Sequence, residues 1–197
     1  MAVLKYPLLL GVLDPAMLEI DDHCDESAGA SAAEQLLRDY PDVIGVIGPL
    51  CSSAARGSLP VYNQAGWVSI SGGATQEDLS TLFGSGGFFN RTVYNNGQLQ
   101  DLGVPENWID DLPDAQDFYS QYESRYGPLP EEIRPLMPYT YDAVHVLLHA
   151  VEQVAVQNTD GSITIERAAL ARAVRHIEGF SGITGLIEFD EDGDRVP

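Results

Sequence analysis

The chain has 197 residues, of which 44% are hydrophobic, so it is long enough to form an α/β domain with a substantial core. Thirty acidic residues against ten basic ones give a formal net charge of −20, which argues against nucleic acids and anionic membrane surfaces as partners. Lys5 is the only lysine, which disfavours mechanisms that need an active-site lysine. No apolar stretch reaches the roughly eighteen residues of a membrane span, and the apolar run Leu8–Leu13 is not typical of a signal peptide.

The first half of the chain alternates short apolar runs with helical segments. In chain order we predict a strand or apolar connection at Leu8–Leu13, strands at Met17–Asp21, Val43–Gly48, Trp67–Ser71 and Phe88–Val93, helices at Ser27–Asp39 and Ala54–Ala65, and a helical turn at Gln76–Thr81. Ser27 or Ser31 is the candidate cap of the first helix. This alternation implies right-handed βαβ units and a parallel sheet.

The second half of the chain is mostly helical and is expected to cover that sheet. We predict helices at Asp114–Tyr126, Pro138–Gln157 and Glu166–Ile177, a polar turn at Asn158–Ser162 and a last strand at Gly185–Phe189. Asn95–Pro113 carries turn signals and little periodicity, so it is interpreted as a connection. The predicted fold class is α/β, a three-layer sandwich with a mostly parallel sheet flanked by helices.

Two loops of small residues follow consecutive predicted strands. The first is Leu50–Ser53 and the second is Gly72–Thr75. Ligands of open α/β sheets lie outside the carboxyl ends of the strands, so both loops are expected at one rim. Their backbone N–H groups and hydroxyls suit a small anionic group such as a carboxylate. Many α/β domains have such loops for steric reasons alone, and that alternative stays open here.

The two cysteines, Cys24 and Cys51, each follow a predicted strand. If those strands are neighbours, the two thiols meet at one end of the sheet, and a disulfide becomes plausible. The residues alone leave the alternative of two reduced cysteines open. A disulfide would imply an oxidising compartment.

The other motifs in the sequence do not favour a catalytic site. Asp21 and Asp22 resemble the acidic pair of a phosphoacceptor receiver domain, but Lys5 precedes every predicted strand and does not supply the required lysine. No G-x-S-x-G elbow is present, so a hydrolase is only the weak enzyme alternative. The possible serine nucleophiles would be Ser52, Ser53, Ser58, Ser69 and Ser71. G-x-G-x-x-G and Walker motifs are absent as well. We expect no catalytic residue and no cofactor.

Two patterns have the spacing of metal ligands. His145 and His149 lie four residues apart on a predicted helix, but no H-E-x-x-H motif is present, and half-buried or surface imidazoles are the preferred interpretation. The alternating aspartates in Asp190–Asp194 lack the glycine and the closing glutamate of a calcium loop, so a tight turn is preferred. No metal site is predicted.

Five stretches in a fixed order are typical of one family. They are residues 18–36, 43–53, 65–80 and 88–98, and a late stretch made of residues 118–130, 139–152 and 180–195. With these the chain resembles the periplasmic substrate-binding proteins of branched-chain amino acid ABC transporters, which have the type I periplasmic-binding fold. The resemblance implies a non-enzyme that recognises a small amino acid or related carboxylate, works with an ABC transporter permease and resides in the periplasm or another extracytoplasmic compartment.

The resemblance also implies roles for loop residues. By motif position, Ser52 and Thr75 bind the ligand carboxylate through hydroxyl and backbone N–H groups, and the Gly73 carbonyl accepts a hydrogen bond from the ammonium group. Leu50 and Cys51 line the side-chain pocket.

Three further implications of the resemblance concern the surroundings of these loops. Ala74 lies beside the ligand backbone, and Tyr141 either approaches the cleft or belongs to the core. The family's disulfide joins the positions that Cys24 and Cys51 occupy.

The chain also departs from the family pattern. Family members have two lobes, whereas here residues 1–98 match the first part of lobe 1, residues 99–113 stand where lobe 2 should be, and residues 114–197 match the returning part of lobe 1. The family's first strand is either Leu8–Leu13 or absent from the chain. We therefore expect a single α/β lobe with weakened or lost affinity. The alternative is a non-binding interaction module that forms a homodimer through the former lobe interface.

Overall fold

A computed structural model describes residues 17–74, 76, 79, 87–89, 108–190 and 193–196, with the backbone alone at 87–89 and 108. The helices are α1 (Glu26–Asp39), α2 (Ser52–Ala65), α3 (Pro113–Tyr126), α4 (Met137–Val154) and α5 (Arg167–Arg175), with 3₁₀ turns at Trp108–Asp111 and Arg134–Leu136. The strands are β1 (Gly45–Ile47), β2 (Val68–Ser71), β3 (Gly87–Phe89), β4 (Val156–Gln157), β5 (Ile163–Thr164), β6 (Phe180–Gly182) and β7 (Gly185–Ile187).

A parallel sheet forms the centre of the described structure. Its strand order is β1-β2-β3, and Gly45 pairs with Val68 while Ser69 pairs with Gly87. Helices α4 and α5 cover one face, and α1 and α2 pack against each other on the opposite face. The predicted α/β class with helices on both sides of a parallel sheet is therefore confirmed.

One core layer lies between the sheet and helices α4 and α5. Val68 and Ile70 of β2 pack there with Val146 and Ala150 of α4 and with Leu170 of α5, and each of these side chains is at most 3% exposed. The α4 residues recur at helical spacing, so they form one buried stripe. Burying apolar side chains of this size stabilises the fold by about 1.5–3 kcal/mol each for valine, leucine and isoleucine.

The opposite core layer depends on a close approach of two helices. Trp67 and Leu59 are buried between β2, α1 and α2. A Cβ atom at Gly57 would overlap the carbonyl oxygen of Glu26, and one at Gly29 would lie 2.5 Å from the carbonyl oxygen of Ala54. Only glycine leaves room for the two backbones at these positions.

The segment before α1 differs from the prediction. Met17–Asp21 was expected to be a strand, and this is wrong: the segment has no regular secondary structure, and Met17 is 76% exposed. The cap of α1 is Asp25, not Ser27 or Ser31, because its carboxylate accepts hydrogen bonds from the backbone N–H groups of Ser27 and Ala28. The Ser27 hydroxyl and these N–H groups lower the pKa of Asp25.

Other predicted boundaries shift by a few residues. Helix α4 ends at Val154, earlier than expected, because Val156–Gln157 pairs with Ile163–Thr164 around the predicted polar turn. The predicted last strand is β7, which ends at Ile187 and pairs antiparallel with β6, a strand that the sequence did not indicate. Pro113–Tyr126 agrees closely with the helix expected at Asp114–Tyr126.

Some predictions fall outside the described residues. These are the run Leu8–Leu13, most of Gln76–Thr81, the later part of Phe88–Val93 and residues 99–107 of the expected connection. The division into residues 1–98, 99–113 and 114–197 stays a prediction.

Candidate functional site

Two loops lie side by side at the carboxyl ends of β1 and β2. We call Gly48–Cys51 loop 1 and Gly72–Ala74 loop 2. Because β1 and β2 are parallel neighbours, their loops leave the sheet at the same rim. The Gly48 N–H donates to the Ile70 carbonyl at 2.9 Å, which extends the pairing into loop 1. The sequence prediction that both loops share one rim is confirmed.

Loop 2 touches both loop 1 and the beginning of α4. A Cβ atom at Gly73 would lie 2.7 Å from Leu50 Cδ1 and 2.8 Å from the Leu50 carbonyl oxygen. A Cβ atom at Gly72 would lie 2.7 Å from Thr140 Oγ1 and 2.8 Å from Thr140 N. Three segments therefore converge at the site, and the contact with α4 had no signal in the sequence.

Ser71 joins the two loops. It is the last residue of β2 and is 3% exposed. Its hydroxyl donates to the Pro49 carbonyl at 2.5 Å and accepts from the N–H groups of Gly73 at 3.1 Å and Ala74 at 2.8 Å. Sequence reasoning noted this serine only among possible nucleophiles, whereas the structure places it between loops 1 and 2.

Ser52 is the first residue of α2 and is half-buried. Its hydroxyl accepts from the Gln76 N–H at 3.4 Å. The preceding Cys51 makes no side-chain capping bond. The amino end of a helix carries a partial positive charge, so this position favours an anion.

The disulfide between Cys24 and Cys51 is present, with 5.2 Å between the two Cα atoms. This confirms the pairing that the family resemblance implied. The neighbouring Ser53 hydroxyl also donates to the Cys24 carbonyl at 2.5 Å. Loop 1 and the amino end of α2 are therefore anchored covalently to the turn before α1.

The predicted site residues differ in exposure. Leu50 is 37% exposed at the rim, Cys51 is half-buried, and Gly73 is buried. Ala74 is fully buried in the core layer with Trp67, and its place beside a ligand backbone stays a prediction. Thr75 lies outside the described residues, and its role stays a prediction.

Tyr141 belongs to an aromatic cluster between α3 and α4. Its ring centroid lies 5.2 Å from that of Phe118 and 4.4 Å from that of His145. Burial raises the pKa of the Tyr141 phenol and lowers the pKa of the His145 imidazole. These contacts favour the core alternative for Tyr141, and its approach to a ligand remains a prediction.

A buried polar network, absent from the sequence prediction, lies next to the two loops. Asp142, 2% exposed, accepts from the N–H groups of Ile183 and Thr184 at 2.9 Å and from the Thr184 hydroxyl at 2.5 Å. Arg195 donates to the Thr184 hydroxyl at 2.6 Å and to the carbonyls of Thr184 and Leu186. Burial raises the pKa of Asp142, against the opposing effect of these donors and of the Arg195 charge.

The network borders a small cavity below the loops. The cavity is lined in part by Ile70, Ser71, Tyr139, Asp142 and Arg195, and its volume is about 20 Å³. That space fits about one water molecule and excludes an amino acid.

The described residues show no group of three histidine, cysteine, aspartate or glutamate side chains that could hold a metal. His149 instead contacts the Phe180 ring at 5.4 Å. Asp190 and Asp194 form a tight turn in which the Asp194 N–H donates to the Asp190 carboxylate at 2.9 Å, which agrees with the preferred interpretation.

Residues 108–197 match a family model described as "receptor family ligand binding region". No curated protein matches the chain. The match includes α3, α4 and α5, the Asp142 network and the hairpin of β6 and β7. Loops 1 and 2 lie outside the matched range, so the family model does not test their roles.

Several solved structures are similar to this chain. An ABC transporter substrate-binding protein from Desulfitobacterium hafniense in complex with Leu has a TM-score of 0.67 at 17% identity, with 92% of this chain and 83% of that chain covered. The branched-chain amino acid substrate-binding protein LivJ from Streptococcus pneumoniae in complex with isoleucine has a TM-score of 0.67 at 12% identity, over 91% and 81% of the two chains. A putative branched-chain amino acid ABC transporter protein from Rhodospirillum rubrum has a TM-score of 0.69 at 15% identity, over 92% and 83%.

At these identities the structural likeness shows the fold, and it agrees with the family model over the second half of the chain. The neighbours from D. hafniense and S. pneumoniae are described as substrate-binding proteins. The fold that the resemblance implied is confirmed: the chain has the type I periplasmic-binding fold of these solved structures, and residues 108–197 match the family model.

Proposed function

We propose that the chain is a non-catalytic solute-binding domain for ABC-type uptake that binds a small amino acid or a related carboxylate at loops 1 and 2. The observation that carries this proposal is the position of Ser52, which starts α2 and accepts a hydrogen bond from the N–H of Gln76, two residues after loop 2. An exposed helix start and a row of small residues suit a carboxylate. The complexes of the similar proteins with Leu and isoleucine support the same ligand class.

In the proposed complex the ligand carboxylate lies at the amino end of α2. Ser52 and Thr75 hold it, and the Gly73 carbonyl accepts from the ammonium group. The ligand side chain points towards Leu50 and Cys51, with Ala74 along its backbone. Tyr141 borders the cleft from α4 if it turns out of its aromatic cluster.

We expect this binding to be weak. Leu50 is 37% exposed and Ser52 is only half-buried, so water has access to the charges of the ligand. Water screens electrostatic interactions strongly compared with a closed site. A second lobe that closes over the ligand would remove this screening, and residues 99–113 are the predicted position at which such a lobe is replaced.

The proposed setting is periplasmic or otherwise extracytoplasmic, with an ABC transporter permease as partner. The disulfide between Cys24 and Cys51 supports an oxidising compartment. Within the described part of the chain, no helix has the length and apolar character needed to cross a membrane.

Titration calorimetry with L-leucine, L-isoleucine and L-valine tests the proposal, and L-leucinamide serves as the ligand without a carboxylate. We expect heat with the amino acids and little with the amide. Ser52→Ala should weaken binding about tenfold, which corresponds to about 1.4 kcal/mol. Ser53→Ala is the matched control, because its hydroxyl bonds the Cys24 carbonyl instead of facing loop 2.

Absence of heat with every ligand would overturn the proposal. Equal losses of ligand affinity in Ser52→Ala and Ser53→Ala would overturn the proposed role of Ser52 in binding. Sedimentation of the same samples tests the alternative of a dimerising module: a dimer that gives no heat would favour that alternative, and a monomer that gives heat would exclude it.

A further inference from the structure

Ser71 is a buried hydroxyl whose entire hydrogen-bonding capacity is used. A serine hydroxyl has one donor hydrogen and two acceptor lone pairs. Here it donates to the Pro49 carbonyl and accepts from the N–H groups of Gly73 and Ala74. With a side chain that is 3% exposed, Ser71 has neither the access nor a remaining hydrogen-bonding position for a ligand.

The bond to Ala74 also sets the direction of the Gly73 carbonyl. The Ala74 N–H and the Gly73 carbonyl belong to the same peptide unit, and in a trans peptide these two groups point in opposite directions. Since the Ala74 N–H points at Ser71 with a distance of 2.8 Å, the Gly73 carbonyl points away from the Ser71 hydroxyl. That carbonyl is the proposed acceptor for the ligand ammonium.

We propose that Ser71 is a positioning residue of the amino acid site, which fixes loop 2 against loop 1 and aims the Gly73 carbonyl at the ligand ammonium. The part of this inference that concerns the ligand rests on the proposed function. The part that concerns the loops is independent of any ligand, because both acceptor bonds exist in the free chain.

Ser69 supplies an internal control on the same strand. It lies two residues before Ser71, is 1% exposed, and its hydroxyl donates to the Gly48 carbonyl of loop 1 at 2.5 Å. The bond of Ser69 therefore supports loop 1, whereas Ser71 supports loop 1 and loop 2 together. Ser69→Ala and Ser71→Ala each remove one buried hydroxyl and differ in their effect on loop 2.

Amide hydrogen exchange measured by NMR tests the loop part. In the unsubstituted chain, the amides of Gly73 and Ala74 should be protected to the level of the β2 amides. Ser71→Ala should speed exchange at both amides by at least about tenfold under conditions in which the variant is folded. Ser69→Ala should leave both rates within about threefold of the original.

Two outcomes would overturn the positioning role. One is fast exchange of the Gly73 and Ala74 amides in the unsubstituted chain, a result that does not depend on whether a variant folds. The other is an equal acceleration of both amides in Ser69→Ala and Ser71→Ala.

Calorimetry with two ligands tests the ligand part. L-leucine has an ammonium group, and 4-methylpentanoate is the same molecule without it. Ser71→Ala should reduce the preference for L-leucine over 4-methylpentanoate about tenfold, whereas Ser69→Ala should weaken both ligands alike and leave the preference unchanged. An unchanged preference for L-leucine over 4-methylpentanoate in Ser71→Ala would contradict the proposal that Ser71 orients the Gly73 carbonyl towards the ammonium group. No binding of either ligand to the unsubstituted chain would overturn the proposed function, while the exchange rates would still decide the role of Ser71 in the loops.

Discussion

Two regions meet at the end of β2 and are held together by different chemistry. Loops 1 and 2 are fixed by neutral bonds from serine hydroxyls to backbone groups, chiefly those of Ser71. The hairpin of β6 and β7 is fixed to α4 by buried charged groups, Asp142 and Arg195, which both bind Thr184. Ser71, Asp142 and Arg195 all line the small cavity, so the two regions meet there.

The two regions differ in role: the buried network stabilises the fold, and the loops are the candidate binding region. The hydrogen bonds of Asp142 and Arg195 described above go to protein groups of the hairpin, and the two residues are 2% and 8% exposed. A network of this kind contributes to a unique packing and has little capacity for a ligand. The loop region keeps Ser52 half-buried and Leu50 at the rim, so that region is where recognition of a carboxylate is expected.

Breaking the charged network should have the largest effect. Asp142→Asn keeps the shape but replaces one acceptor oxygen by an NH₂ group, which would face the donors of Ile183 or Thr184. We expect the free energy of unfolding to fall by about 3–5 kcal/mol, measured by urea denaturation.

Asp110→Asn is the control for this substitution. Asp110 pairs with Arg134 at 2.8 Å, but their side chains are 45% and 35% exposed, so its loss should cost less than about 1 kcal/mol. Similar losses of unfolding free energy in Asp110→Asn and Asp142→Asn would contradict the distinction between a buried network and a surface pair.

Removing the disulfide should have the next largest effect and should act on the loop region. The double substitution Cys24→Ala with Cys51→Ala opens a loop whose ends are 27 residues apart. Because the unfolded chain gains entropy when this loop is open, we expect the free energy of unfolding to fall by about 3 kcal/mol. Calorimetry should show this as a lower Tm. Reduction of the unsubstituted chain should give the same Tm as the double variant, and an unchanged Tm in both would contradict the prediction.

Separating the two loops should have the smallest effect on stability and a clear effect on binding. In Gly73→Ala the new Cβ lies 2.8 Å from the Leu50 carbonyl oxygen, so loop 1 has to move. We expect a loss of about 1–3 kcal/mol in the free energy of unfolding together with weaker L-leucine binding in calorimetry.

Gly66→Ala is the matched control for the loop separation. Gly66 has φ of +70° and no atom within 4 Å of the added Cβ, so the substitution introduces backbone strain of about 1–2 kcal/mol without a clash. L-leucine binding should be unchanged in Gly66→Ala. A matching loss of affinity would mean that binding follows general stability and not the contact of loop 1 with loop 2.

Much of the architecture could be predicted from the sequence because its signals are local. Helix α3 was predicted to within a residue from its periodicity and from Gly127 at its end, and the two loops were placed at one rim from the order of strands and helices. The strand expected at Met17–Asp21 was wrong, because a short apolar run becomes a strand only where a neighbouring strand pairs with it.

The sequence by itself determined the α/β order, the parallel sheet and the two small-residue loops, since periodicity, glycines and loop composition act over a few residues. Only the tertiary structure decided which polar groups are buried. Asp142 lies 42 residues before Thr184 and meets it and Arg195 because the final hairpin packs on α4. Ser71 looked like any other loop serine until packing enclosed it between loops 1 and 2.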